Sequence, residues 1–244
     1  MLKDIFSTQA NMYAKYRPVY PKELFDYILQ FVEEKNTAWD CATGNGQAAI
    51  MLAPQFKKVI ATDISEKQLS LARHHANIQY QTTSAERTNF PDHSFDLITV
   101  AQAYHWLKFE AFEKEVKRVA KKDAVIAVWG YNLFTTNDAA IDKLVKKFYF
   151  EIVGPYWDAE RKYVDANYSN APFNFSPLPT KDFSINIEWS KDDVIGYLNS
   201  WSSVQHFIDA KKYSPVNDII NDLDLLFKEV KHVSFPLFLK LGRV

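Results

Sequence analysis

Two of the chain's 6 glycines stand close together in the stretch Asp40-Cys-Ala-Thr-Gly44-Asn-Gly46-Gln-Ala-Ala49, and Asp63 follows Gly44 by 19 residues. Glycines at such a point let the backbone turn tightly and approach a bound molecule, and a helix starting just after them presents unpaired N–H groups. An acidic residue about 20 positions on, ending the next strand, is placed to accept hydrogen bonds from ribose hydroxyls. A plain tight turn and a helix cap are the bland alternatives, although Ser65 already supplies a cap beyond Asp63. Gly44-x-Gly46-x-x-Ala49 also matches the dinucleotide fingerprint, so an NAD-dependent dehydrogenase fits the same residues. Charge separates the readings. Asp40 before the glycines opposes a pyrophosphate, whereas S-adenosylmethionine (AdoMet) carries no phosphate but an ammonium and a sulfonium that Asp40 could favour through the turn or through water. A protein that binds AdoMet without turnover is a third reading, and it would lack an acceptor chamber.

Methyl transfer from a sulfonium is an in-line displacement, so its main requirement is an acceptor held about 3 Å from the methyl group with water excluded. No acid or base is obligatory when the acceptor is already a carboxylate. His105 is the histidine at a strand end beside the expected pocket, and it is the catalytic candidate. It could take a proton from a hydroxyl or amine, hydrogen-bond an acceptor carboxylate, or cap the next helix. Aromatic faces stabilise a cationic donor by roughly 0.5–2 kcal/mol each. Tyr13, Tyr16, Tyr104, Trp106, Trp129 and Tyr131 come from segments expected at the carboxyl edge of the sheet, with core packing as the alternative for about half of them. Trp201, with Tyr197 and the 156–179 stretch, is expected to shape the acceptor pocket. Cys41 is the single cysteine, which excludes intrachain disulfides and cysteine-based zinc clusters, and the chain offers Ala101, Gln102 and Ala103 where a metal-dependent catechol enzyme needs a carboxylate. No metal is expected.

These residues need elements to hold them. Leu24, Tyr27, Ile28 and Phe31 recur at helical spacing behind Pro21; Ala38–Cys41 reads as a strand entering the glycine turn, and Gln47 to about Ala53 as the helix leaving it. Lys58–Asp63 is a second strand. Ser65 and Gln68 open a helix whose Leu69, Ala72 and Ala76 share a face, and Ile78–Thr82 is a third strand. Phe95–Ala101 is an apolar run suited to a buried parallel strand, followed by a helix marked by Phe109, Phe112, Val116 and Val119 and a strand over Ala124–Trp129. Alternating strands and helices imply right-handed crossovers and a doubly wound, mostly parallel α/β sheet. From Tyr156 to Pro179 the pattern breaks into an irregular insertion. Phe183–Trp189 alternates as a strand; Val194, Leu198 and Trp201 suggest one helix, Ile220, Leu223, Phe227 and Val230 another. The alternation over 233–241 predicts an antiparallel closing strand, with Pro236 hinting at a bulge or exposed edge.

Asp40-x-Ala42-x-Gly44-x-Gly46 resembles the first motif of the class I AdoMet-dependent methyltransferases, with Ala42 in place of a glycine and tolerable there if the local φ is negative. Asp63 resembles that family's acidic residue after strand two and Ser84-Ala85-Glu86 its segment lining the adenine, while Phe90-Pro-Asp-His-Ser-Phe-Asp-Leu-Ile98 is similar to the run into strand four of the type 11 methyltransferase group. Tyr16-Arg17-Pro18-x-Tyr20-Pro21 and Ala101-Gln102-Ala103-x-His105-Trp106 resemble a small-molecule branch that includes the trans-aconitate methyltransferases. The resemblance implies a Rossmann-like, seven-stranded, mostly parallel sheet with an antiparallel last strand and a helical cover, in one domain spanning 1–244. Within it, 1–20 would be an N-terminal lid, 35–131 the cofactor-binding core, and 150–230 the insertion and helical substrate cover. It implies AdoMet contacts from Arg17, Asp40, Ala42, Gly44, Gly46, Asp63, Ile64, Ala85, Glu86 and Ala101, with Arg17 in the lid pairing a carboxylate of AdoMet or of the substrate. A small-molecule acceptor methylated at the oxygen of a carboxylic acid is the expectation.

Of the 244 residues, 47% are hydrophobic and 24% charged, with 29 Lys plus Arg against 30 Asp plus Glu. This is the composition of a folded chain with a sizeable core, and its net charge of −1 disfavours nucleic acid and anionic lipid as partners. No apolar run approaches the ~20 residues of a membrane helix, and the start, MLKDIFSTQANMY, lacks a signal-peptide core. A cytoplasmic location is expected.

Overall fold

The computed structural model describes residues 15–244. Tyr13, and residues 1–14 of the expected lid, lie outside the described residues.

Five parallel strands form the first half: β1 (Thr37–Cys41), β2 (Lys58–Asp63), β3 (Ile78–Thr82), β4 (Phe95–Ala101) and β5 (Ala120–Tyr131), in the order β3-β2-β1-β4-β5. Every residue of β4 except Ala101 is buried, as expected of a strand with neighbours on both edges and helices on both faces. Helix α1 (Lys22–Ile28) precedes β1, and the crossovers carry α2 (Gln47–Leu52), α3 (Glu66–Ser70) and α4 (Phe109–Val119). At the amino edge of the sheet, Asp96 Oδ2 accepts the Asn36 and Thr37 N–H groups and Oδ1 accepts Lys121 Nζ at 2.6 Å, which fixes where β1 begins beside β4.

The second half turns the sheet back. After β5 come the two-residue β6 (Thr135–Thr136), α5 (Ala139–Lys147), α6 (Arg161–Asp165), the two-residue β7 (Ser176–Pro177) and β8 (Phe183–Trp189). Helices α7 (Lys191–Asn199), α8 (Ser202–Lys211) and α9 (Ile220–Leu226) lead to β9 (Lys231–Arg243). β9 runs antiparallel to β5 along Leu237–Arg243 and antiparallel to β8 along Lys231–Leu237. Seven strands of five residues or more therefore form a mostly parallel sheet with antiparallel closing strands.

Alternate residues of β5 feed the two cores. Val125, Ala127, Trp129 and Tyr131 pack with α1, α2 and the later helices, while Ala124, Ile126 and Val128 pack with α4 and Tyr168.

Four expectations about elements change. The helix after Ser65 stops at Ser70 instead of reaching Ala76: Ser65 caps it through Gln68 N, but Leu71 and Ala76 are exposed, so no buried face supports another turn. Trp201 is not on a helix with Val194 and Leu198 but caps α8, a separate helix the sequence did not announce. The helix over Ile220 ends at Leu226, and Val230 is 56% exposed. Pro236 is not at an edge, since β9 is paired on both sides. Its carbonyl accepts from Asn132 N, so the donor it lacks faces the gap where the chain leaves β5 before β6.

Candidate active site

The carboxyl ends of β1, β2 and β4 open on a cavity of about 440 Å³. The chain leaving β1 makes its floor. Thr43 N donates to Thr62 O at 2.9 Å, Gly44 N to Asp63 Oδ2 at 2.9 Å, and Ser65 N to Asp63 Oδ1 at 2.9 Å. One carboxylate thus ties the glycine turn to the end of β2 at the cavity wall. Ala42, Gly44, Asp63 and Ile64 all line the space. The condition attached to Ala42 fails, because its φ is +53°, in the left-handed region. The turn imposes this geometry on an alanine, which costs about 1–2 kcal/mol relative to glycine's freedom.

Gly46 and Asp40 sit behind the wall. Gly46, with φ +80°, caps α2, and the Tyr80 hydroxyl fills the place of a side chain there. Asp40 has no exposure; Thr99 Oγ1 donates to its Oδ1 at 2.8 Å and Thr43 Oγ1 to its Oδ2. Burial pushes this carboxyl up to about 6, partly countered by those hydroxyls. Asp40 braces the turn from below and does not reach the cavity.

On the far side, Thr83, Ala85 and Glu86 follow β3, and Glu86 accepts from Ser84 Oγ and from Lys108 N at 3.1 Å. Among the lining residues, Asp63, Glu86 and Glu160 are acidic and Lys108 is the one cationic side chain. Such a wall suits a ligand carrying positive charge and opposes a pyrophosphate, which the dehydrogenase alternative requires.

The end of β4 supplies Ala101, Gln102, His105 and Trp106 to the wall. Gln102 has φ +54°, its N–H donates to Trp129 O, and its amide lies across Gly130, where a Cβ would meet Gln102 Oε1 at 2.8 Å. His105 Nδ1 is 2.8 Å from Tyr168 Oη, and burial, assisted by the Arg161 charge, lowers the imidazole to about 3. It stays uncharged at neutral pH. His105 lines the cavity, but a ring so reluctant to take a proton is a poor general base, and a hydrogen-bonding role through Nε2 is what it can offer. Gln102, His105 and Trp106 also border a second space of about 50 Å³, walled by Arg17, Trp157, Asp158, Arg161 and Ser202.

Several expected site residues lie elsewhere. Tyr104 is wholly buried against Phe109, Phe112 and Tyr168, with its hydroxyl on Pro172 O at 2.6 Å. Trp129 is wholly buried between Tyr20 and Phe25, with ring centres 5.6 and 5.7 Å away. Trp201 packs with Phe148, Tyr149, Trp157 and Tyr197 inside the helical cover. Tyr16 lies against Gly196 of α7. Arg17 does not reach the larger cavity; its Nη atoms donate to Tyr131 Oη at 3.3 Å and Ser200 O at 3.1 Å. In each case an apolar or polar partner from a distant segment claims the side chain, which local spacing does not reveal.

Conversely, Tyr20, Gln68, Lys108, Glu160, Tyr163 and Arg161 line the two spaces without having been singled out. Tyr20 and Gln68 stand within quoted patterns, where they were not given a site role, and Lys108 just beyond one. Glu160, Arg161 and Tyr163 lie in the irregular insertion, where no period or motif marks them. Among the described residues, no group of three or more His, Cys, Asp or Glu gathers to hold a metal.

A family model for the methyltransferase domain matches residues 39–128. A Dictyostelium discoideum protein bearing a methyltransferase name is 34% identical, over 98% of this chain and 95% of its own. A Saccharomyces cerevisiae protein named as an S-adenosylmethionine-dependent methyltransferase is 29% identical over 49% of this chain and 44% of its own. A solved Anaeromyxobacter dehalogenans structure, described as a type II methyltransferase, superposes with a TM-score of 0.85 at 32% identity, covering 93% of this chain and 98% of that one.

Proposed function

We propose, for a chain that belongs to the S-adenosylmethionine-dependent methyltransferases, that its acceptor is a small molecule and the methylated atom an oxygen of a carboxylic acid. The observation that carries this reading is the uncharged His105. It is the titratable side chain that the end of β4 brings to the cavity, its burial holds it near 3, and Nδ1 is engaged by Tyr168. An acceptor already ionised at neutral pH needs no base there. AdoMet supplies the methyl group on its sulfonium: as the C–O bond forms the C–S bond breaks, leaving a methyl ester and S-adenosylhomocysteine with no proton to place. The likeness of the Tyr16–Pro21 and Ala101–Trp106 segments to the trans-aconitate branch supports the same acceptor class.

In this reading Asp63 takes the ribose hydroxyls, Ile64, Ala85 and Glu86 flank the adenine, and Ala42, Gly44 and Ala101 border the methionyl part, all from the cavity wall. Residues 35–131 form the cofactor-binding core and 150–230 the cover. No described helix is long and apolar enough to cross a membrane, and the composition supports a cytoplasmic enzyme with neither nucleic acid nor membrane as partner. Incubation with methyl-labelled AdoMet and a panel of small acids, phenols and amines tests the acceptor class. Label that alkali releases as methanol from an acid product is the expected result. Alkali-stable label on an amine or phenol alone would overturn it, and AdoMet binding without transfer would favour the non-catalytic binder.

A further inference from the structure

Arg161 begins α6, in the stretch after β5 that no motif marks. Its Nε donates to Tyr149 Oη at 2.6 Å and to Asp165 Oδ1 at 3.1 Å, and its guanidinium carbon lies 4.6 Å from the Trp157 ring centre and 5.2 Å from that of Tyr149. The side chain is only 20% exposed. These contacts hold the fork in one orientation and use one of its five N–H groups. Among the described residues none accepts a hydrogen bond from either terminal nitrogen, and the residue borders the small cavity between Trp157, Gln102, His105 and Trp106. A guanidinium with one of its five N–H groups engaged in a position only 20% exposed is costly unless something else completes it. The aromatic faces offset part of that cost.

The other lining charges are differently engaged. Arg17 already donates from both Nη atoms to Tyr131 and Ser200, and Asp158, the carboxylate of this wall, has His206 Nδ1 3.8 Å away. The space of about 50 Å³ has room for a group the size of a carboxylate.

We propose that Arg161 is the specificity-determining residue for the acceptor, gripping with its two terminal nitrogens an anionic group of that molecule other than the atom methylated. The carboxylate-pairing role that the resemblance implies for Arg17 falls in this proposal to a residue in the insertion. With Nε engaged, the fork meets a carboxylate end-on through Nη1 and Nη2, a bidentate geometry that lysine cannot reproduce. A carboxylate held this way spends its lone pairs on the guanidinium and is a weak nucleophile. The reacting atom therefore sits where Gln102, His105 and Trp106 face the larger cavity, and the acceptor must carry two polar groups. Neighbouring Glu160 and Tyr163 line the cofactor cavity, so this one turn touches both spaces.

The inference rests on the methyltransferase reading, and calorimetry on the protein saturated with S-adenosylhomocysteine separates the two. Fumarate, succinate and glutarate are titrated beside their diamides, into wild type, Arg161→Gln and Arg161→Lys. At least one acid is expected to bind wild type about tenfold or more tighter than its diamide, with Arg161→Gln removing that preference and Arg161→Lys restoring only part. Unchanged S-adenosylhomocysteine affinity in the variants reports an intact cofactor site. If no acid binds more tightly than its diamide, or if Arg161→Gln retains the preference, the proposal is overturned while the methyltransferase reading stands. Failure of S-adenosylhomocysteine to bind wild type would instead remove the reading beneath it.

Discussion

Asp40 lies under the glycine turn, and its carboxyl is held up at about 6 because burial disfavours the charged form more than the Thr43 and Thr99 hydroxyls favour it. The folded value lies above the ordinary 3.8. Its contribution to stability is therefore fully present below about pH 4 and is lost as pH rises through 6, by about 3 kcal/mol in all. Asp40→Asn cannot ionise. Denaturant melts from pH 4 to 8 should show wild type losing stability relative to the variant across that window, and parallel curves would refute the assignment. Asp63 behaves differently, because its two oxygens already accept the Gly44 and Ser65 N–H groups. Asp63→Ala should weaken AdoMet binding about tenfold or more, and should also lower the melting temperature, since two N–H groups lose their acceptor. Isothermal titration and a melt on the same preparation check both, and an unchanged affinity would leave Asp63 a purely structural bridge. The positions of Gly44 and Asp63 at the cavity wall were readable in the sequence, because both follow from the turn and strand end that the local pattern marks. Tyr104, Trp129 and Trp201 were misplaced because an aromatic at a strand or helix end serves a core as readily as a pocket, and Phe112, Phe25 and Tyr197 decide which.

At the level of elements, β2, β3 and β4 have the boundaries that their patterns announce; in β2 and β4 the sheet buries the apolar run, whereas β3, an edge strand with no buried residue, is held by its pairing with β2. Helix α3 was overestimated because periodicity alone does not say whether a neighbour exists to cover the face. The short α6 went unread because it sits in a stretch broken by Pro155 and Pro172, and α8 because its buried Val204 and Phe207 are too few to mark a helical period. The pairing of β5 with β9 shows how such distant contacts reach the site. Gly130 is opposite Phe238, and a Cβ there would meet the Phe238 ring at 2.5 Å and Gln102 Oε1 at 2.8 Å. Gly130→Ala is expected to cost about 1–3 kcal/mol through overpacking and to move Gln102 from the wall shared by the two cavities. Chemical denaturation would give the first effect and acceptor KM the second; a variant as stable as wild type would mean that β9 yields more easily than its two-sided pairing implies.

For the molecule as a whole, the net charge of −1 says little about ligands, whereas the distribution says more: three carboxylates and one ammonium surround the 440 Å³ cavity. A wall of that sign should attract the ammonium and sulfonium of AdoMet and repel the two phosphates of NAD, whose binding turn would need compensating positive charge. Ligands that bind only the folded chain raise its stability by mass action, about 2.7 kcal/mol at a hundredfold excess over Kd, which for a chain of this size is a rise of roughly 5–10 °C in Tm. AdoMet should produce that shift and NAD none, and salt should strengthen whatever weak NAD binding remains while slightly weakening AdoMet. S-adenosylhomocysteine, lacking the sulfonium charge, keeps the ammonium and the ribose, so most of the shift should survive with it. If NAD stabilised the protein as well as AdoMet does, the cavity's carboxylates would have to be protonated or turned away, and the electrostatic argument that separates the two ligands would fail with them.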